Sequence, residues 1–364
     1  MQGRLVLMIT DLVAVNPALA VNPVLAEVVR SDFVESRHRG AVAGLAADGD
    51  VAGQNGDIDT PVFPRSSNKP LQAVGMVRCG LGLSGELLSL AAASHAGEDF
   101  HADGVRKILS SAGLTEGDLR CPASLPLDEP TAHRLIAADQ GKTRIRMNCS
   151  GKHAAMLATS VRNGWPTASY LDPAHPLQQA IKAVVAELAG EPVAATGVDG
   201  CGAPLFAISL HGLARAFRTL VLADPGTPER EVADAMRAYP AWMSGTTRDD
   251  RRLMDAVPGV LSKGGAEGVQ AFALPVAGGA IAGAVKIDDG APRASFPVAI
   301  ALLRALAAPP PGQPVPGEPL PGQPLPGESV PGEPVPGDSV PGDLGTVPVT
   351  GGDAVVGEVR PLPL

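Results

Sequence analysis

Several short stretches of this 364-residue chain set nucleophilic or basic side chains beside turn-forming neighbours. In Arg65-Ser66-Ser67-Asn68-Lys69-Pro70, Ser66 and Lys69 stand three residues apart. On a helical turn that spacing puts both on one face, the lysine amine near the serine hydroxyl. A serine is a weak nucleophile until a neighbour takes its proton. A lysine does so only if burial or another cation lowers its pKa from about 10.4 towards neutrality. Taken alone, the same spacing also describes an N-capping serine with an exposed lysine.

Asn148-Cys149-Ser150-Gly151-Lys152-His153 places Cys149 and Lys152 three apart at what should be a helix start. A cysteine beside a lysine and a helix N-terminus is a candidate thiolate, hence a nucleophile or a metal ligand. Gly151-Lys152 is not a phosphate loop, because the earlier glycine that such a loop needs is missing. In Val198-Asp199-Gly200-Cys201-Gly202-Ala203-Pro204, glycines on both sides of Cys201 imply tight turns. Cys149, Cys201 and Asp199 could form a metal site, although the two cysteines lack zinc-finger spacing. Ser262-Lys263-Gly264-Gly265 lets another backbone or a substrate approach closely. Ser94, in Ala93-Ser94-His95-Ala96-Gly97-Glu98, reads by itself as a helix cap. Cys79 and Cys121 sit in apolar contexts and read as packing residues.

Two kinds of element must carry these turns. The stretch 25–58 alternates and is punctuated by Asp48-Gly49 and Asn55-Gly56, both hairpin signals. Strands are expected at 39–45, 270–275, 279–287 and 355–360. Helical spacing covers 86–93, 101–112, 133–139, 153–161, 177–188, 205–217, 229–236 and 296–306. Strands at both ends with helices between them predict an α/β (α+β) fold. Its antiparallel sheet is drawn from the N- and C-terminal segments, with an inserted helical lobe.

From Pro311 the chain repeats every five residues, PGQPV, PGEPL, PGQPL, PGESV, PGEPV, PGDSV, PGDLG, as far as Gly345. Proline at that density stops helix and sheet, so a disordered, turn-rich insertion is expected over 309–348. Residues 349–364 should return as a final strand. The catalytic unit is expected over 21–308, and residues 1–20 form a leader, expected to be disordered. That leader is a poor signal peptide, since Asp11 breaks its apolar run after five residues.

Apolar residues make up 45 % of the chain and aromatics only 3 %. The core must therefore be built of alanine, valine and leucine. The net charge of −9 comes largely from the stretch beyond residue 308, which holds seven acids against Arg360. The rest is nearly balanced, which excludes the clustered cationic face that nucleic acid requires. Short basic runs such as Arg248 to Arg252 are interrupted by Asp249 and Asp250 and read as solvated surface. No apolar run approaches the roughly 20 residues of a membrane span. Four cysteines are too few for a disulfide scaffold and point to reduced cytoplasm.

Taken together, the motifs resemble the L-asparaginase II family, bacterial amidohydrolases that include the Rhizobium-type thermolabile asparaginases. The matching stretches are VESRHRGAV (34–42), PVFPRSSNKPLQA (61–73), ASHAGE (93–98), NCSGKHAAML (148–157), VDGCGAP (198–204), SKGGAEGV (262–269) and KIDDG (286–290). The resemblance implies a serine β-lactamase-like fold, a homodimer, and hydrolysis of L-asparagine to L-aspartate and ammonia. It makes Ser66 with Lys69 one Ser–Lys pair and Ser94 with Lys263 a second. It matches Cys149, Lys152 and Cys201 to a zinc site with Asp199 close by, and Arg65, His153 and Asp199 to the substrate pocket. Ala96 departs from the family, where serine is common at that place.

Two rivals follow. A glutaminase or another acyl-serine enzyme shares the order S-x-x-K, S-x-x, K-G, but the S-D-N and K-T-G triplets of penicillin chemistry are absent. A non-catalytic protein acting through its Pro-Gly repeat would have no need of serine–lysine pairs.

Overall fold

The computed structural model describes residues 21–308 and 340–364. The leader and most of the pentapeptide repeat lie outside the described residues. The chain opens with β1 (Val24–Arg30), β2 (Phe33–Leu45) and β3 (Val51–Asn55), then runs through α1 (Lys69–Arg78), α2 (Gly85–Ala91), α3 (Asp99–Ser111), α4 (Glu129–Ala137), α5 (Ser150–Arg162) and α6 (Pro176–Ala189). A short ribbon, β4 (Ala195–Val198) and β5 (Pro204–Ala207), precedes α7 (Leu210–Leu222), α8 (Pro228–Ala238), α9 (Pro240–Met243) and α10 (Asp249–Ala256). The strands β6 (Leu261–Gly265), β7 (Val269–Val276) and β8 (Gly279–Ile287) follow, then α11 (Pro292–Ala307), β9 (Val347–Gly351) and β10 (Ala354–Pro361).

The main sheet is antiparallel throughout, in the order β6-β7-β8-β2-β1-β10-β9, with β3 also on β2. Its middle joins the two ends of the chain, as Val28 opposite Val359 shows. The Asp48-Gly49 signal is the β2–β3 turn, and Gly49 takes the positive φ of 100° that such a turn favours. This is the α+β arrangement expected, with the sheet from both termini and the helical lobe between.

Residues along β7 and β8 are buried at successive positions. Successive strand residues point to opposite faces, so both faces are covered, and α7 and α11 are the helices that pack on these strands. Small residues make the contact close. A side chain on Gly283 would strike the Phe272 ring at 2.5 Å and Leu302 at 2.7 Å.

Two expectations about boundaries need correction. The predicted helix over 205–217 begins later, at Leu210. Leu205, Phe206 and Ala207 instead pair with β4, and Ser209 caps α7 by accepting from the Gly212 N–H at 2.8 Å. Residues 340–348, expected within the insertion, belong to the fold. Val340 and Leu344 are buried, and Arg304 donates to the carbonyls of Val340 (3.2 Å) and Pro341 (2.8 Å). The closing segment is accordingly a hairpin, β9 with β10.

Candidate active site

The Arg65-Ser66-Ser67-Asn68 stretch forms a 3-10 turn that leads directly into α1. It is fixed from two sides. Ser67 Oγ donates to the Lys263 carbonyl at 2.9 Å, and a side chain on Gly265 would meet the Pro64 carbonyl at 2.7 Å. Gly265, the second of the paired glycines after Lys263, therefore lets β6 lie against the Ser66 turn. Arg65 enters the turn with φ of +51°. A non-glycine residue there is strained by about 1–3 kcal/mol and is held by its surroundings. The holding contact is Arg65 Nε donating to Asp199 Oδ1 at 2.9 Å.

Lys69 is buried at the first position of α1. Its Nζ donates to the Ala93 carbonyl at 2.7 Å and to Cys149 Sγ at 3.0 Å. One amine thus joins the Ser66 turn, the Ser94 turn and the start of α5. Ser94 Oγ accepts from Asn148 Nδ2 at 3.1 Å, which leaves its own proton available. Ser66 and Ser94 both line one cavity of about 440 Å³. Among the described residues no side-chain hydrogen bond joins Ser66 to Lys69 or Ser94 to Lys263; the Lys69 backbone N–H donates to the Ser66 carbonyl.

Lys263, on β6, is fully buried. Burial and the like charges of Lys69 and Arg248 push its pKa down to about 7, against the opposing pull of Asp250. Its Nζ donates to the Gly264 carbonyl at 2.7 Å and lies 3.8 Å from Asp250 Oδ2. Asp250 is itself buried and accepts from Ser262 Oγ (2.8 Å), the Gly264 N–H (2.9 Å) and Gln270 Nε2 (2.8 Å). A lysine poised near neutrality exchanges protons readily at physiological pH.

The candidate metal ligands come together from α5 and the β4–β5 turn. One donor atom from each of Cys149, Asp199 and Cys201 lies within 4.8 Å of the others. A side chain at Gly151 would run into the Leu90 carbonyl, so this glycine lets α5 press on α2 and brings Cys149 and Lys152 inward. Lys152 Nζ donates to Cys201 Sγ at 3.2 Å. Cys149 is raised by the adjoining Cys201 and by burial, whereas Cys201 is lowered by Cys149 and by the charge of Lys152. Burial works against the Lys152 ammonium, but Cys201, Cys149 and Asp199 outweigh it and raise its pKa. Two thiols and a carboxylate are a donor set that fits zinc. Lys152 could ligate only after losing its proton.

Arg65 and His153 sit apart from the serine cavity. Arg65 faces a neighbouring cavity of about 430 Å³ with Phe63, Glu267 and Lys286, and its NH1 lies 3.6 Å from Glu267. His153 is completely buried, and its Nδ1 meets Tyr170 Oη at 2.7 Å. Burial lowers its pKa against the opposing pull of the neighbouring Cys201, and among the described residues Nε2 has no hydrogen-bond partner of good geometry.

Asn148, Arg248 and Asp250 were not singled out by the sequence reading, yet all three line the serine cavity. Asp250 had a usable signal. With Leu253 and Met254 it forms the buried stripe of α10 at helical spacing.

The family model for L-asparaginase II matches residues 26–318. The chain belongs to the L-asparaginase II family. Its fold is α+β, with an antiparallel sheet drawn from both ends of the chain and the helical lobe beside it. No curated protein matches the sequence. Among solved structures, a protein named Mglu in its native form is 14 % identical over 74 % of this chain and 60 % of its own, with a TM-score of 0.37. This chain therefore spans less than two thirds of Mglu. A Bacillus glutaminase is 12 % identical over 68 % of this chain and 83 % of its own, with a TM-score of 0.36. A protein put forward as a β-lactamase from Bacteroides dorei is 14 % identical over 68 % and 84 %, with a TM-score of 0.37. No helix among the described residues is long and apolar enough to cross a membrane.

Proposed function

We propose that this L-asparaginase II family member is an amidohydrolase that converts L-asparagine to L-aspartate and ammonia. The observation that carries the reading is that Ser66 and Ser94 open onto one cavity while Lys69 is buried between their turns. Ser66 Oγ attacks the side-chain amide carbon, and its proton passes to Lys69. The tetrahedral adduct collapses as the amide nitrogen takes a proton and leaves as ammonia. Ser94 and Lys263 supply that proton, since Lys263 titrates near neutrality. Water then attacks the acyl-serine ester, its proton passing to Lys263 while Lys69 returns its own to the departing Ser66 oxygen, giving aspartate and restoring Ser66 and both lysines.

Cys149, Cys201 and Asp199 would hold zinc, with Lys152 joining once deprotonated. The bound ion would supply a fixed positive charge that orients substrate and biases the neighbouring lysines. The same reading takes the protein to be cytoplasmic, where free cysteines persist, and homodimeric. Light scattering checks the dimer.

The direct test is ammonia release from L-asparagine and L-glutamine by the wild type and by Ser66→Ala. Asparagine turnover that the variant loses supports the reading. Turnover of glutamine alone replaces the substrate, and no turnover by folded, zinc-supplied protein overturns it.

A further inference from the structure

The serine cavity has one charged wall, formed by Arg248 with Asp249 and Asp250 at the start of α10. Among the described lining residues Arg248 is the single cation. Both acids beside it are engaged. Asp249 Oδ1 accepts from Arg252 NH1 at 3.3 Å, and Asp250 accepts from Ser262, Gly264 and Gln270. The Arg248 guanidinium has no hydrogen bond or ion pair with any described residue, and the residue is exposed. The three bonds to Asp250 fasten the start of α10 to β6 and β7, so the backbone that carries Arg248 is fixed relative to Lys263.

Arg65 is the opposite case. Its guanidinium is bonded to Asp199 at 2.9 Å, lies 3.6 Å from Glu267, and faces a different cavity. An arginine already holding a carboxylate in a half-buried setting would have to give up that bond to take another. An amino-acid amide brings an α-carboxylate into a partly enclosed space, where an unpaired anion is costly. A free guanidinium on the wall meets that charge with short, paired hydrogen bonds.

We propose that Arg248, and not Arg65, reads the α-carboxylate of the substrate and so selects amino-acid amides over simple amides. This rests on the amidohydrolase reading of the Ser66 cavity. The discriminating probe is 3-aminopropanamide, which is asparagine without its α-carboxylate. Wild type, Arg248→Gln, Arg248→Lys and Arg65→Gln are compared on both compounds at the same pH. Any effect of the Arg248 charge on Lys263 then enters both rates and cancels in their ratio.

The expected result is that Arg248→Gln loses roughly 10- to 100-fold in kcat/KM on asparagine, mostly through KM. Its loss on 3-aminopropanamide should be at most about threefold, so the preference for asparagine collapses. Arg248→Lys should recover part of that preference. Arg65→Gln should lower both rates alike. An undiminished preference in Arg248→Gln, or a collapse in Arg65→Gln instead, overturns the proposal while leaving the amidohydrolase standing. A wild type that releases no ammonia from asparagine fails one step earlier and removes both readings.

Discussion

Lys69 Nζ donates to Cys149 Sγ across 3.0 Å, so the candidate serine–lysine pair and the candidate metal ligands are in direct contact. The remaining bond of this amine goes to the Ala93 carbonyl, next to Ser94. A change at Cys149 should therefore reach the chemistry at both serines without touching either.

The first prediction concerns that contact. Cys149→Ala deprives the Lys69 amine of a hydrogen-bond partner that positions it, an interaction worth about 0.5–1.5 kcal/mol. In chelator-treated protein, where zinc plays no part, kcat/KM on asparagine is expected to fall roughly 3- to 10-fold. An unchanged rate would show that Lys69 is positioned without the thiol.

A second prediction follows from Lys263, whose pKa is depressed to about 7. Below that value the amine is charged, and above it the amine is free to accept a proton. As the proton donor to the leaving ammonia it must carry its proton, so kcat/KM is expected to be level at lower pH and to fall above an inflection near 7. Asp250 pulls the pKa upward from 3.8 Å. Removing that charge with Asp250→Asn should move the inflection to lower pH. A pH–rate profile that is flat between 6 and 8, or one that moves upward in the variant, contradicts this role.

Residue types and local spacing carried much of the site. Ser66 with Lys69, Cys149 with Lys152 and the turn around Cys201 are each visible within a few residues, because each depends on one turn of chain. What stayed hidden depends on distance along the chain. Asp250 lies 13 residues from Lys263 in a run of charges that reads as solvated surface, and only the folding of α10 onto β6 buries it. Arg65 matched a substrate position, but its partner Asp199 is 134 residues away. The sheet was legible from its alternation and turn signals. The start of α7 was not, because β5 and the first turn of that helix are equally apolar.

The metal-free state offers a third prediction. Cys149 is bonded to Lys69, Cys201 to Lys152, and Asp199 to Arg65. Each donor of the candidate zinc site therefore has a partner within the protein. Small zinc domains unfold on chelation because their ligands have no such partners. Here a chelator is expected to leave a cooperative unfolding transition, lower in Tm only by what ligand binding contributes. Loss of the transition in differential scanning calorimetry would mean that the metal is structural.

The last prediction separates the repeat from the segment that follows it. Val340 and Leu344, in the final two pentapeptides, are buried. Arg304 binds the Val340 and Pro341 carbonyls, and Arg252 pairs with Asp343 at 3.0 Å. Deleting 316–335 removes whole repeat units and should leave both Tm and ammonia release at wild-type values. Extending the deletion through 345 also removes two buried aliphatic side chains and the anchor for α11. Large-to-small losses of that kind cost about 2–5 kcal/mol each, or a fall in Tm of roughly 5–10 °C or more. If the two deletions behave alike, the residues from 340 onward are not anchored as their contacts indicate.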